Sequence, residues 1–241
     1  MKISDYIRNT IGRFPKGYVF TYIDFIGKVK NKEALIKALN RLAASGRIVK
    51  LTKGKYYKPD QSPFGELPPG QYQVVKDLLK RDGKVVGYLT GLSIYNDLGL
   101  TTQIGSVIQI GKQDVRSSFK RGRYSIYFVK QKNKITKENI PLLQLLDVLR
   151  FIKKIPDSDI KNSGKTSFTL ISKLSEREMD SLVRLALKYQ PSTRALLGAI
   201  LTDFGKVKLT EKLKKSLNPI TAYNIPGISS VLNSASEWGI K

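Results

Sequence analysis

Apolar residues near the start of the chain recur with the spacing of amphipathic helices. The side chains that share the apolar face of the first predicted helix are Ile3, Ile7, Ile11 and Phe14. Thr21, followed by Asp24 three residues later, is typical of a helix N-terminus. We therefore predict a first helix over residues 3–14 and a second helix over residues 22–28.

The pattern next predicts a third helix and a β-hairpin. Asn31 is a typical N-cap, and Gly46 a typical C-terminal residue, for a helix over residues 32–44. The apolar stripe of this helix consists of Leu35, Ala38, Leu39 and Leu42. Two runs of strand-forming residues, 47–51 and 55–57, are separated by a short Thr-Lys-Gly turn. Three helices followed by a tight hairpin are typical of a winged helix-turn-helix, a DNA-binding fold.

Prolines mark a boundary after the hairpin. Four of them stand close together in the sequence: Pro59, Pro63, Pro68 and Pro69. Because each proline removes an amide donor and restricts φ, we predict an extended linker over residues 61–70. This linker separates a DNA-binding domain over residues 1–60 from a larger domain over residues 71–241. The predicted fold class is α+β, an N-terminal winged helix-turn-helix followed by a mixed α/β domain with a helical C-terminal part.

The larger domain begins with mixed elements and ends with helices. The elements predicted in its first part are a helix over 72–81, a strand over 85–89, a short helix over 90–98, and strands over 106–110 and 123–129. From Asn139 onward the apolar spacing is helical, and Ser175 with Glu178 forms a capping box. Residues 162–166 resemble the end of a phosphate-binding loop. Asp159 stands where that motif requires glycine, so we predict an ordinary turn there.

The composition narrows the function further. The chain of 241 residues carries 43 Lys and Arg against 19 Asp and Glu, a net charge of +24. This excess favours a polyanionic partner, which could be nucleic acid, an acidic protein or a membrane surface. The chain has neither Cys nor His, which excludes disulfides, thiolate nucleophiles, histidine-based triads and the usual zinc sites. Because no carboxylate cluster indicates acid–base or metal chemistry, we predict that the protein is not an enzyme and uses no cofactor or metal.

The pattern of apolar and charged residues also predicts the cellular compartment of the protein. Asp5 and Arg8 interrupt any apolar core that a secretory signal would need at the start of the chain. No segment approaches the roughly 18 consecutive apolar residues that a transmembrane helix requires. We therefore predict a cytoplasmic protein without a membrane partner.

The polar face of the third predicted helix is the first candidate site. Opposite the leucines it carries Lys37, Asn40 and Arg41, with Lys32 near the N-terminus. A recognition helix needs such a face, because Arg pairs with guanine and Asn with adenine in the major groove. A solvated surface helix would also be polar here, but flanking cations favour DNA binding: Lys28, Lys30, Arg47, Lys50, Lys53, Lys55 and Lys58. The predicted DNA-binding residues are Lys32, Lys37, Asn40, Arg41, Arg47, Lys53 and Lys55.

A basic segment over residues 112–130 is the second candidate site. The residues that we expect to contact phosphate groups or an acidic protein partner are Arg116, Lys120, Arg121 and Arg123. Alternatively, these cations only keep an exposed strand edge from pairing with other chains. The sequence favours neither interpretation over the other.

Short strings along the chain resemble a known family. Early in the chain they are residues 15–21 (PKGYVFT), 38–42 (ALNRL) and 54–59 (GKYYKP). Later they are residues 62–65 (SPFG), 87–91 (GYLTG), 98–103 (LGLTTQ) and 193–199 (TRALLGA). In this order, and over nearly the whole chain, the strings resemble the AbiEi-type antitoxins of type IV toxin–antitoxin systems.

This resemblance implies two activities. The winged helix would bind inverted repeats in double-stranded DNA at the chain's own promoter and repress the operon. The second domain would neutralise a nucleotidyltransferase toxin of the AbiEii type by binding, and the basic segment over 112–130 would be a candidate contact for that toxin. By position, the recognition-helix role falls on Lys37, Asn40 and Arg41, and the role of the wing falls on Lys53 and Lys55.

Two other functions stay open. The first alternative is a plain winged-helix repressor whose second domain dimerises or senses a ligand. An enzyme that modifies the toxin, such as a kinase, is a third class, but no glycine-rich phosphate loop or carboxylate set supports it. A toxic nucleotidyltransferase encoded beside this chain would separate the antitoxin from the plain repressor.

Overall fold

Residue contacts divide the chain into two units in the computed structural model, which describes residues 3–27, 29, 31–63, 65–103 and 105–241. The N-terminal unit comprises Met1–Asp77 and Phe119–Tyr124, and the C-terminal unit comprises Leu78–Ser118 and Ser125–Lys241. Both units contain helices and strands, so the predicted α+β class is confirmed. The division falls beyond the predicted linker over 61–70, because the segment after that linker packs with the residues before it.

The first segment of the N-terminal unit carries helices and short strands in alternation. In chain order they are α1 (Ile3–Arg13), β1 (Val19–Thr21), a 3₁₀ turn (Tyr22–Phe25), α2 (Lys32–Ala44), β2 (Val49–Thr52), β3 (Lys55–Tyr57), β4 (Asp60–Ser62), β5 (Gly65–Leu67) and α3 (Gln71–Leu79). Strand β3 lies between β1 and β2, and both neighbours pair with it antiparallel. The last two residues of α3 belong to the C-terminal unit.

Local signals set the ends of α2 as predicted. The Asn31 side chain accepts a hydrogen bond from the Ala34 amide at 3.0 Å, and Gly46 has a φ of +71°. The Thr21 amide donates to the Asp24 carboxylate at 2.7 Å, which completes the predicted cap. The second helix, predicted over 22–28, is only a 3₁₀ turn over Tyr22–Phe25, and Lys28 and Lys30 lie outside the described residues.

The extended linker predicted over 61–70 is wrong for most of its length, up to Leu67. Asp60–Ser62 and Gly65–Leu67 pair antiparallel as a short hairpin. The prolines do not prevent this pairing, because all four lie outside the paired residues and the missing amide donors are not needed there. The residues between these prolines therefore contain a paired element of the N-terminal unit.

A small aromatic core holds the N-terminal unit together. Its fully buried members include Ile7 from α1, Phe20 from β1, and Leu35 and Leu39 from α2. Phe20 packs with the rings of Phe14, Phe25 and Tyr56 at centroid distances of 5.2, 5.9 and 6.2 Å. One face of α2 is thereby committed to the core, so its other face is left for solvent or a partner.

The C-terminal unit begins with short strands and continues with helices. Its strands are β6 (Lys80–Arg81), β7 (Lys84–Val85), β8 (Gly87–Thr90), β9 (Val107–Lys112) and, after β10 (Phe119–Arg121) of the N-terminal unit, β11 (Tyr124–Lys130) from Ser125 onward. Its helices are α4 (Ile140–Arg150), α5 (Ile160–Ser172), α6 (Glu176–Ala186), α7 (Pro191–Asp203) and α8 (Val207–Lys215). Strand β9 pairs parallel with β11 and antiparallel with β8.

Two helices in this region are shorter in the structure than predicted. The helix expected over 72–81 ends at Leu79, because Lys80–Arg81 pairs with Lys84–Val85 as a hairpin. Asp82 and Gly83 form its two-residue turn with φ values of +50° and +73°, the arrangement that an Asp-Gly pair favours. The helix expected over 90–98 is reduced to a 3₁₀ turn over Gly91–Ser93 followed by turns.

Residues 162–166 are helical and not the predicted turn, and close packing explains why the helix contains a glycine. Asp159 caps α5 by accepting a hydrogen bond from the Asn162 amide at 2.6 Å. A Cβ at Gly164 would come within 2.6 Å of the Ile228 side chain, so the glycine permits a close contact inside the helix. The nearly fully buried helix α7 uses Gly198 in the same way against the ring of Trp238.

The helices of the described residues are too short or too polar to cross a bilayer. The capping box predicted at Ser175 and Glu178 is confirmed at the start of α6. The predicted run of helices after Asn139 is likewise confirmed.

Candidate nucleic-acid interface

The exposed face of α2 brings three predicted residues together. Lys37, Asn40 and Arg41 are exposed, and their spacing of three and four residues places them side by side on the helix. Leu35 and Leu39 on the opposite face are fully buried, so the orientation of the helix is determined by the core. Lys32, in the first turn of α2, is also exposed, with its ammonium group 4.7 Å from the centre of the Tyr22 ring.

A hydrogen bond from the sheet orients the Asn40 side chain. The Tyr56 hydroxyl, on β3, donates to Asn40 Oδ1 at 2.7 Å. Burial raises the pKa of Tyr56, so this hydroxyl stays protonated and keeps donating at neutral pH. An amide oxygen has a second lone pair, so Asn40 can still accept a hydrogen bond from a partner outside the chain.

Three arginines line a groove beside α2: one from α1, one from α2 and one from the segment that follows α2. Arg8 of α1, Arg41 of α2 and Arg47 line a depression of about 360 Å³ whose other lining residues are uncharged. All three arginines are exposed. Arg8 was not predicted, because its position on the polar side of α1 does not reveal that it lines a depression together with α2 residues.

The predicted hairpin cations divide into two kinds. Lys53 lies exposed in the turn between β2 and β3, where Gly54 has a φ of +74°. Lys55 is only 19% exposed in its side chain, and its ammonium group lies 3.1 Å from the Asp77 carboxylate. The Lys58 ammonium donates to the carbonyl oxygens of Gly12 and Phe14 at 2.7 and 2.9 Å. Lys53 therefore points outward, whereas Lys55 and Lys58 hold the unit together.

Asp77 also binds Arg121, which the sequence predicted to contact phosphate groups or an acidic protein partner. The Arg121 guanidinium donates to both Asp77 oxygens at 2.6 and 3.1 Å and to the Val74 carbonyl oxygen at 2.6 Å. Its side chain is only 8% exposed. Burial alone would raise the pKa of Asp77, but the hydrogen bonds and charges of Arg121 and Lys55 hold it below its usual value. Arg121 thus joins the 119–124 segment to the rest of the N-terminal unit.

The other members of the basic segment lie in different units. Lys120 and Arg123 are exposed in the N-terminal unit, and the Arg123 guanidinium lies 5.2 Å from the centre of the Tyr124 ring. Arg116 is exposed in the C-terminal unit, 5.4 Å from the centre of the Phe128 ring. The four residues predicted as one contact surface therefore do not belong to one unit.

The C-terminal unit contains a buried polar network that the sequence analysis missed. The fully buried Asp147 carboxylate accepts hydrogen bonds from Tyr88, Thr90 and Tyr189 at 2.7, 2.6 and 3.0 Å. Gln131 donates to the hydroxyls of Tyr88 and Tyr189 at 2.9 and 2.8 Å. Burial raises the pKa of Asp147 against the opposing effect of these hydroxyl donors. Tyr88 and Thr90 belong to the 87–91 string, but that string was noted only for its family resemblance and did not predict a buried network.

The described residues contain no group of three or more Asp, Glu, His or Cys that could hold a metal ion. The candidate site consists of exposed cations and one amide, all in the N-terminal unit. Such side chains donate hydrogen bonds to phosphate oxygens and to the base edges of DNA. With Lys55 and Arg121 engaged inside the unit, the outward set consists of Arg8, Lys32, Lys37, Asn40, Arg41, Arg47 and Lys53.

Comparisons with known proteins place the chain in a sequence family and a fold. The model of DUF6088, a family of unknown function, matches residues 6–179. The crystal structure of the RV2827C protein from Mycobacterium tuberculosis has a similar fold, with a TM-score of 0.58 at 14% sequence identity. The match covers 91% of this chain and 83% of that one. The comparison with curated proteins finds no match.

Proposed function

The chain belongs to DUF6088, a family of unknown function, and from its own residues we propose that the N-terminal unit binds double-stranded DNA as a winged helix-turn-helix. In this proposal α2 is the recognition helix and the β2–β3 hairpin is the wing. The observation that carries the proposal is the exposed row of Lys37, Asn40 and Arg41 on a helix whose other face is fully buried.

Five of the outward residues have roles that their chemistry supports. Arg41 can donate two hydrogen bonds to guanine, and Asn40 can pair with adenine through its amide. Tyr56 supports Asn40, because its hydrogen bond removes rotational freedom from the amide before DNA binds. Arg8, Arg47 and Lys53 are suited to phosphate contacts, which position a protein on DNA without recognising sequence.

DNA affinity measured by fluorescence anisotropy tests this proposal. We would compare the full chain on a duplex from its own promoter and on a shuffled duplex of equal length and composition, at one salt concentration. A sequence-specific repressor binds its operator at least about 10³-fold more tightly than unrelated DNA. Equal affinity for the two duplexes would contradict sequence-specific binding.

We further propose that the protein is an autoregulating antitoxin that acts without catalysis. The support is the ordered resemblance of its strings to AbiEi-type antitoxins, which neutralise nucleotidyltransferase toxins. The C-terminal unit would bind the toxin while the N-terminal unit represses the shared operon. Both partners would place this activity in the cytoplasm.

A growth-rescue experiment tests whether the protein neutralises a toxin. The adjacent gene would be expressed with the full chain, and with a full chain carrying Arg41→Ala. We expect both forms to rescue growth, because Arg41 belongs to the DNA-binding face only. A well-expressed chain that binds its promoter but fails to rescue growth from a toxic neighbour would leave the plain repressor in its place.

A further inference from the structure

A basic cleft in the C-terminal unit carries a binding site that the DNA-binding face does not explain. The cleft has a volume of about 600 Å³. The cations that line it are Lys130, Lys132, Arg150, Lys188 and Arg194. Among the described residues that form its walls there is no Asp or Glu. We infer that this cleft binds the phosphate chain of a compact polyphosphate, such as a nucleoside triphosphate.

The five cations come from separate segments that the fold brings together. Lys130 ends β11, Arg150 ends α4, and Arg194 lies in the first turn of α7. Lys132 and Lys188 follow β11 and α6 and are exposed. Convergence of a strand end and three helix ends produces a concave site, whereas a solubilising pattern would spread its charges over the surface.

Backbone carbonyl groups hold three of the cations without neutralising them, including Lys130, whose ammonium group donates to the Gln113 carbonyl oxygen. The Arg150 guanidinium donates to the Lys130 carbonyl oxygen at 3.3 Å, and the Arg194 guanidinium donates to the Ser216 carbonyl oxygen at 2.8 Å. The Gln190 amide donates to the Arg150 carbonyl oxygen at 3.4 Å. In the described part of the chain, no ion pair joins any of the five cations to a carboxylate. Their charge is positioned but not cancelled.

The wall of the cleft joins the buried network around Asp147. Tyr189 and Gln131 line the cleft and are hydrogen-bonded to each other, and the Tyr189 hydroxyl donates to Asp147. Asp147 accepts hydrogen bonds from three hydroxyl donors, and in the described part of the chain it forms no ion pair with the lining cations. The network keeps the wall of the cleft rigid, which lowers the entropy lost when a ligand binds.

Size and charge together select the ligand class. A volume of about 600 Å³ lies within the range of small-molecule sites, about 300–1,000 Å³. One phosphate group carries up to about two negative charges, so five cations match several linked phosphates better than one. Leu187, Pro191 and the Tyr189 ring add an apolar wall that suits an organic group such as a base. The first turn of α7 adds its partial positive charge at the rim.

Calorimetric titration of the full chain at low salt, without divalent metal, tests the inference. The probes are ATP, inorganic tripolyphosphate and AMP. We expect both triphosphate probes to bind and AMP to bind more weakly, by about tenfold or more. Tighter binding of ATP than of tripolyphosphate would assign the apolar wall to the base, and equal binding would assign recognition to the phosphate chain alone. Failure of both triphosphates to bind would overturn the inference.

Matched double variants locate the site. Lys132→Gln with Lys188→Gln removes two exposed cations from the cleft, and Lys161→Gln with Lys173→Gln removes two exposed cations of the same unit outside it. We expect the first pair to weaken triphosphate binding about tenfold or more and the second to leave it nearly unchanged. Equal losses would reduce the binding to general charge attraction and overturn the site.

Measuring duplex DNA binding by the same variants distinguishes a triphosphate site in the cleft from a nucleic-acid surface. If the cleft pair weakened binding of a shuffled duplex but not of the triphosphates, the cleft would be a nucleic-acid surface and the inference would be wrong. Loss of triphosphate binding in the cleft pair, with promoter recognition retained, would support the inference whether or not the N-terminal proposal holds. The two proposals can therefore fail separately.

Discussion

The N-terminal unit contains two sets of basic residues that composition alone does not distinguish. On α2, Lys37 and Arg41 extend into solvent from a helix that the core holds in place. At Asp77, Lys55 and Arg121 point inward and share one carboxylate. The first set is available to a polyanion, whereas the second stabilises the fold. A net charge of +24 therefore overstates the cations available to a partner, and only the structure sorts them.

The largest expected effect is a loss of folding stability when the inward set, Lys55 and Arg121 at Asp77, is disrupted. Arg121→Ala removes two hydrogen bonds to Asp77 and one to the Val74 carbonyl oxygen. We expect the free energy of unfolding to fall by about 2–4 kcal/mol, near the range for breaking a buried ion pair but reduced because Asp77 is partly solvated. Urea denaturation measures this change. The exposed neighbour is the control, since Lys120→Ala should change stability by less than about 0.5 kcal/mol.

A smaller expected effect is the pH dependence of the stability that Asp77 contributes, and its sign follows from the pKa shift. The pKa of Asp77 is lower in the folded chain than in the unfolded chain, so its carboxylate stabilises the fold above the unfolded pKa. This stabilisation is lost as the pH falls through the folded pKa. We expect the difference in unfolding free energy between the parent chain and Asp77→Asn to be largest at neutral pH. It should shrink below about pH 4, and a difference that grew on acidification would contradict the assigned role.

The smallest expected effect separates two lysines of one hairpin. Lys53→Gln should lower the slope of log affinity against log salt concentration by about one unit, as expected for one lost phosphate contact. Lys55→Gln should leave that slope unchanged, because its ammonium group is engaged with Asp77. Anisotropy titrations on a shuffled duplex at several salt concentrations provide both slopes. Equal decreases for the two variants would erase the distinction between outward and inward cations.

The sequence predicts best the features that neighbouring residues determine. Asn31 and Gly46 mark the ends of α2 through bonds and angles that span a few positions, so the bounds and the exposed face of this helix follow directly. Ser175 and Glu178 mark α6 for the same reason. The order of α1, α2 and the β2–β3 hairpin follows from such local signals, whereas strand β1 was not predicted.

Features that depend on distant residues escape the sequence. Asp77 and Arg121 are 44 positions apart, and nothing in their surroundings indicates that they pair. Gly164 suggests a turn until Ile228, far along the chain, shows why a glycine is needed within a helix. The proline-rich segment near 61–70 suggested an unpaired linker, because the positions of the prolines outside the strands become meaningful only once the pairing is known.

The measurement that tests the DNA-binding proposal most directly is the affinity of Arg41→Ala for the promoter duplex and for its shuffled counterpart. The proposal predicts a loss of about 1–3 kcal/mol on the promoter, the value of one bidentate contact to guanine, with a smaller loss on the shuffled duplex and unchanged stability. Lys173→Ala, an exposed cation of the C-terminal unit, removes the same charge and should leave both affinities near those of the parent chain. Promoter binding by Arg41→Ala equal to that of the parent chain would show that α2 does not recognise DNA.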